Sequence, residues 1–128
     1  MPSFNFQLRF APKIASGKKG GTIRSTQRCK PGQFMFLFTG LRTKQCNRIG
    51  TKPCKGVVPV TLVNNHIYLD GLQLSIDEAN EFAKADGFKD LDAFYDFFKD
   101  QYGLPYTGFW HVWSKSLLEK FMSIKAIY

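Results

Sequence analysis

No aspartate or glutamate occurs in the first 69 residues of this 128-residue chain, which hold 12 of its 18 lysines and arginines. The remaining residues carry 6 basic and all 10 acidic side chains, so the two stretches sum to +12 and −4 within a net charge of +8. A stretch that basic, with no acid of its own, generates a positive field wherever its side chains gather, and phosphate is the natural counter-ion. A charge that serves only solubility is the alternative reading of the same composition. Also missing is any apolar run near the roughly 20 residues that cross a bilayer. The longest, Phe34 to Phe38, is strand-sized. The basic half holds no basic amphipathic helix, which argues against an anionic membrane as partner. Met1 to Gln7 lacks the charged and long apolar regions of a secretory leader, so a cytoplasmic location is expected.

Cysteine is scarce. Cys29, Cys46 and Cys54 make an odd number with no C-x-x-C pair, which suits a reducing compartment better than a disulfide framework. Their irregular spacing from His66 and His111 argues against zinc, and no metal or cofactor is expected. With only two histidines, no Ser-His-Asp or Cys-His arrangement is evident, and both are expected to be structural.

Apolar residues are plentiful, at 44% hydrophobic and 16% aromatic with thirteen phenylalanines, enough for one aromatic-rich core. Phe4, Phe6, Leu8 and Phe10 alternate as on a half-buried strand. Pro12 to Ser16 predicts a short helix ended by Gly17. Gly20-Gly21 is expected to free the backbone before a short extended Thr22-Ile23-Arg24. Phe34 to Phe38 predicts a strand buried on both faces, followed by strands over Lys44 to Ile49 and Val57 to Val63. Asp70-Gly71 between Ile67–Leu69 and Leu72–Leu74 is a two-residue hairpin signal. Ser75-Ile76-Asp77-Glu78 is a capping box opening a helix with Ile76, Ala79 and Ala83 on its apolar side and Gly87 after it. Asp90 caps a second helix with a Leu91, Phe94, Phe98, Tyr102 stripe, ended by Gly103. Phe109 to Trp113 predicts a last strand. Ser114 to Tyr128, with Leu117, Leu118, Phe121 and Ile124, predicts a short amphipathic helix.

Chemistry concentrates in Gly17-Lys18-Lys19-Gly20-Gly21-Thr22-Ile23-Arg24. Free backbone N–H groups beside glycines, with Lys and Arg converging, suit a phosphate or carboxylate. A solvated turn is the plain alternative, and the spacing is not that of a Walker loop. Arg42, Lys44 and Arg48 alternate as if along one strand face, which extends the basic surface or merely protects a strand edge. Among the aromatics Trp113 is expected in the core and Trp110 as a base-stacking side chain.

The order Gly17-Lys18-Lys19, Thr22-Ile23-Arg24, Pro31-Gly32 and an apolar strand ending Thr39-Gly40 resembles the ASCH domain of the PUA-like superfamily. The likeness continues through Leu41-Arg42-Thr43, Cys46 and Ile49-Gly50, a block similar to ASCH proteins of bacteriophages and prophages. It then runs through Asp70-Gly71, Leu74, Ala83 to Phe88, Phe97-Phe98, Tyr102-Gly103, Phe109 and Trp113, spanning roughly residues 4–113. The resemblance implies an α+β fold: a small PUA-like β-barrel with two to three flanking helices over 1–113, and a tail over 114–128. It also implies a cleft binding RNA or a nucleotide through Lys18, Lys19, Arg24, Arg42, Lys44 and Trp110. Some such proteins remove the acyl group of N4-acetylcytidine, and one is described as a ribonuclease. By motif position the amidohydrolase residues fall on Lys19, Thr22 and Asp86, with Arg24 beside them. Gly20-Gly21 stands where that branch carries bulkier residues, and Asp86 where it carries Glu. A third reading is a phage accessory protein that binds a host protein through the tail after Ser114.

Overall fold

The alternation Phe4-x-Phe6 forms the first strand, β1 (Ser3–Phe6), with both phenylalanines buried and Asn5 between them exposed. This is a computed structural model, and it describes residues 2–127, with side chains through Ser123. A single 3-10 turn (Leu8–Phe10) runs into α1 (Ala11–Ala15), where the expected strand to Phe10 gives way to helix ahead of Pro12. Then follow β2 (Gly21–Arg24), β3 (Phe34–Thr39), β4 (Asn47–Pro53), β5 (Gly56–Val63), β6 (His66–Leu69) and β7 (Leu72–Gln73). Two helices, α2 (Ile76–Ala85) and α3 (Leu91–Gln101), precede β8 (Tyr106–Val112) and α4 (Lys115–Ile127).

The described residues therefore form a mixed α+β fold in two sheets, ordered β1-β3-β4 and β2-β8-β5-β6-β7. In the first, β1 runs parallel to β3 and β4 antiparallel to it; the second is antiparallel throughout. The two ladders do not close on each other, so the expected continuous barrel is not formed. At the seam the free carbonyls of Asn5 and Ser3 on edge strand β1 accept from the Arg24 and Arg28 guanidiniums, at 2.9 and 3.1 Å. Side chains thus occupy the edge that a further main-chain ladder would have covered.

Local signals act as their chemistry requires. Asp70 and Gly71 both have positive φ (50° and 83°), the hairpin geometry that favours Asp-Gly. Both bonds of the Ser75–Glu78 capping box are present, and Asp90 Oδ1 accepts from Ala93 N. Four expectations need correcting. Ile76 is 77% exposed, and Phe82 fills the core from α2 instead. β3 buries Met35, Leu37 and Thr39, while its other face is only half-covered because the three-stranded sheet is open on that side. β4 begins at Asn47, since Gly40 to Cys46 is folded into a turn by bonds from Thr43 N and Oγ1 to the Gly40 carbonyl. Finally, α4 is not an appended tail: Phe121 is buried edge-on against Phe82 and Trp110, and Leu117 and Leu118 pack on the core. Ile124 lies beyond the described side chains.

Candidate functional site

Main-chain bonds fix the Lys19–Arg24 segment before any side chain acts. Gly17 turns the chain out of α1 at φ 83°, and Lys19 N then bonds back to the Lys13 carbonyl. Gly20 N donates to the Ala85 carbonyl at the end of α2, while Gly20 O accepts from Trp113 N and Ser114 N. Gly20 and Gly21 are buried, not a mobile hinge. A Cβ on Gly21 would stand 2.4 Å from the Trp110 indole nitrogen and 2.9 Å from the His111 carbonyl. The glycines are there for close approach, which corrects the expectation of a loosened loop.

Close packing brings Lys19 to the C-terminus of α2. Its Nζ donates to the Asp86 carbonyl at 2.5 Å and to Asp86 Oδ1 at 3.1 Å. Lys13 Nζ donates to the next carbonyl, Gly87 O, so two cations sit on the negative end of the helix. Gly87 is required here twice, by its φ of 98° and because a Cβ would meet Phe10 at 2.9 Å and Lys19 Cδ at 3.0 Å. Lys19 and Asp86 are each only 3% exposed. Burial, the largest effect, pushes the Lys19 ammonium down and the Asp86 carboxyl up, and each partner's charge pulls back against that shift. Burial thus favours the neutral form of each group, and the partner's charge opposes it.

These residues form one end of a cavity of about 160 Å³, also lined by Thr22, Arg24, Asn5 and Tyr102. Thr22 is buried, and its Oγ1 accepts from Arg24 Nε at 3.3 Å. The Arg24 guanidinium lies 5.0 Å from the Phe6 ring centre, and Lys19 Nζ lies 4.9 Å from that of Phe10. Phe88, Phe97, Phe98 and Tyr102 complete an aromatic wall, with Tyr102 60% exposed and its ring 5.1 Å from Tyr106. The lining combines aromatic rings with a few polar and charged groups, as in small-ligand pockets.

Lys19, Thr22, Arg24 and Asp86 are brought together although Asp86 is 67 positions from Lys19. Lys18 and Lys44 are exposed and line neither this cavity nor the depression beside it. Arg42 lies on the Gly40–Cys46 turn and not on a strand, so it does not alternate with Lys44 and Arg48. Trp110 is corrected outright. It is 1% exposed, packed 4.8 Å from Phe82 and 5.7 Å from Phe121, because α2 and α4 cover its face of β8. Trp113 is buried as expected.

Residues missed in the sequence are Asn5, Gln101, Tyr102 and Arg28. Tyr102 counted as the last member of the α3 stripe, and only its place at the helix end exposes it. Arg28 is placed by His111, whose Nε2 accepts from Arg28 N at 3.0 Å. Nδ1 must then carry the ring proton, and it makes no hydrogen bond of normal geometry. Burial pushes His111 down to about 4, against a weaker opposing pull from the Thr22 and Phe109 backbone. Cys29 and Cys54 are buried and Cys46 is exposed. Among the described residues no three His, Cys, Asp or Glu side chains are placed to hold a metal, and no helix is long and apolar enough to cross a membrane.

Compared with family models, curated proteins and solved structures, the chain matches none.

Proposed function

We propose that this chain is an ASCH-type, PUA-like protein that takes a nucleoside or nucleotide unit, free or within RNA, into the cavity between Lys19 and Tyr102. The observation that carries the reading is the convergence of Lys19, Thr22, Arg24 and Asp86 on one small cavity with an aromatic wall. The wall offers a ring face for a base, with Tyr102 at its exposed end replacing Trp110 as the stacking side chain. Asn5, Gln101 and Thr22 supply donors and acceptors for polar edges, and Arg24 supplies positive charge. In the PUA-like reading, the open seam between β1 and β2 is the mouth of the cleft. The test is direct binding of ribonucleosides, nucleotides and short RNA. Wild type is expected to bind, and Lys19→Ala and Arg24→Ala to weaken binding. Undiminished binding by both variants contradicts the reading.

A second reading, hydrolysis of an N-acylated nucleoside, is favoured by the shifts of Lys19 and Asp86 toward neutrality. A neutral Lys19 amine would take the Thr22 hydroxyl proton as the oxygen attacks the acyl carbon. The Arg24 Nε–H on Thr22 Oγ1 favours the oxygen carrying negative charge. The nucleoside amine leaves with a proton handed on by Lys19, and water then hydrolyses the acyl-threonine ester, regenerating the hydroxyl. Among the described residues Lys19 Nζ bonds Asp86 and not Thr22, so ligand entry must shift Nζ from one to the other. Incubation with N4-acetylcytidine tests it: release of cytidine and acetate by wild type and not by Thr22→Ala is expected, and no turnover by wild type overturns it. In the host-protein reading the partner would meet the exposed side of α4, where Lys115 and Glu119 lie, since its other side packs on the core.

A further inference from the structure

Beside the cavity, and sharing Asn5 and Arg24 with it, lies an open depression of about 230 Å³ walled also by Ser3, Arg28, Leu41 and Arg42. Three arginines line it and no acid does; Asp86 lines the cavity only. The guanidiniums of Arg24 and Arg28 are fixed rather than free to sweep the solvent. Arg24 bonds Thr22 Oγ1 and the Asn5 carbonyl, Arg28 bonds the Ser3 carbonyl, and both lie about 5.5 Å from the Phe4 ring centre. A guanidinium has about five N–H donors, so most of those on Arg24 and Arg28 remain for a ligand. Arg42 makes no hydrogen bond or ion pair within the described residues.

Arg42 is also held in the left-handed region, at φ 67°, where a side chain such as arginine is disfavoured. The turn that imposes this is tied by Thr43 Oγ1 to the Gly40 carbonyl at 2.6 Å and by Leu41 N to Asn5 Oδ1 at 2.8 Å. Asn5 thus links the Arg42 turn to β1 and to the cavity wall at once. Arg28 acts on Arg24 more strongly than Asp86 does. The gathered like charges therefore cost stability in the ligand-free protein, and an anion in the depression reduces that cost. A carboxylate engages one guanidinium fork; a phosphate has further oxygens for a second and a third.

We infer that Arg24, Arg28 and Arg42 form a phosphate subsite, so that the group taken by the cavity is a phosphorylated nucleoside and not a free nucleoside. This rests on the cavity being a nucleoside site, and it assigns Arg28 a role that the sequence motifs did not. The phosphate belongs either to a free nucleotide or to an RNA strand. A second, wider open depression shares Ser3, Arg28 and Arg42 with the first and reaches Pro2 and Gln33, which leaves room for a further phosphate.

The test is titration calorimetry of the full chain with the four ribonucleosides, their 5′- and 3′-monophosphates, inorganic phosphate and a short single-stranded RNA. Monophosphates are expected to bind roughly tenfold to a hundredfold tighter than the matching nucleosides, the range for hydrogen bonds to a charged group. The Arg28→Gln, Arg42→Gln double variant should lose that gain while keeping its nucleoside affinity, which also reports that it is folded. Arg42→Gln alone, which removes no contact of the fold, should lose part of it. If the strand is the natural ligand, RNA binds tighter than any monophosphate, and the salt slope falls by about 1 in the double variant. Equal binding of nucleosides and monophosphates overturns the subsite and leaves the cavity reading intact. Phosphate binding that needs Arg28 and Arg42, with no nucleoside affinity, supports the subsite and overturns the cavity reading. No binding of monophosphate, phosphate or RNA overturns the subsite.

Discussion

Lys19 Nζ and Asp86 Oδ1 meet at 3.1 Å across 67 positions of sequence, buried at the end of the cavity and bonded again through the Asp86 carbonyl. The pair closes the C-terminus of α2, where Lys19 caps the Asp86 carbonyl, and it lines the cavity. Removing one partner leaves the other charge buried, a change that typically costs about 3–5 kcal/mol. Lys19→Met is therefore expected to lower stability by about that much, and Lys19→Met with Asp86→Leu to recover most of it. Urea midpoints of the single and double variants check this. Equal destabilisation by both would mean that the Lys19 bond to the Asp86 carbonyl dominates.

Gly21 lies against the Trp110 indole, and no soft contact is available to give way, since the His111 carbonyl closes the other side. Gly21→Ala should overpack the start of β2 and destabilise by about 1–3 kcal/mol. At Gly20 the nearest obstacle is the end of the Leu117 side chain, which can turn aside more readily. Thermal unfolding of the two variants should rank Gly21→Ala as the more damaging. The reverse order would place the tighter packing on α4.

Tyr102 and Trp110 should respond oppositely. Trp110→Ala empties a fully buried site and is expected to cost about 3–5 kcal/mol of stability. Tyr102→Ala, at the rim, should leave stability nearly unchanged and weaken ligand binding by about 1–3 kcal/mol, the range for one base on an aromatic ring. Calorimetric affinity beside a denaturation curve separates the two effects. Unchanged affinity in Tyr102→Ala would remove the stacking assignment.

His111 makes stability depend on acid. Its ordinary value is 6.5, and in the folded chain burial holds it down to about 4. The unfolded chain therefore takes up a proton that the native chain refuses. Stability is fully present above pH 6.5, falls as pH drops through the window from 6.5 to 4, and loses on the order of 2 kcal/mol once solvent screening is allowed for. Protonated Nε2 would also face the Arg28 N–H as a second donor, so the segment carrying Arg28 should loosen first. Denaturant midpoints from pH 7 to pH 4, with His111→Gln as the flattened control, check the slope. A wild type and variant with parallel profiles would contradict it.

Capping and hairpin signals were legible in the sequence because each is local: Ser75 with Glu78, Asp90 with Ala93, and Asp70 beside Gly71 need no distant partner. Lys19, Thr22 and Arg24 were legible as a cluster because they fall within six residues, Thr22 and Arg24 on β2 and Lys19 just before it. Asp86 was placed with them through resemblance alone, since nothing in the spacing of residues 19 and 86 brings them together. Trp110 was misread because alternation along β8 says which side a residue faces but not what covers it. The covering layer comes from α2 and α4, through Phe82 and Phe121. Arg28 stayed hidden for a similar reason, since its anchor, His111, lies on β8 and acts through a backbone N–H. The seam between β1 and β2 depends on how the two sheets meet, which no periodicity records.

The most direct measurement is a two-dimensional amide NMR titration of the labelled protein with a ribonucleoside monophosphate. Saturable movement of the Lys19, Thr22, Arg24, Asp86 and Tyr102 signals, with Lys115 to Ser123 unmoved, is the result predicted. Absence of any shift, or shifts confined to α4 and the β6–β7 hairpin, would contradict a nucleotide-binding cavity built on Lys19 and Asp86.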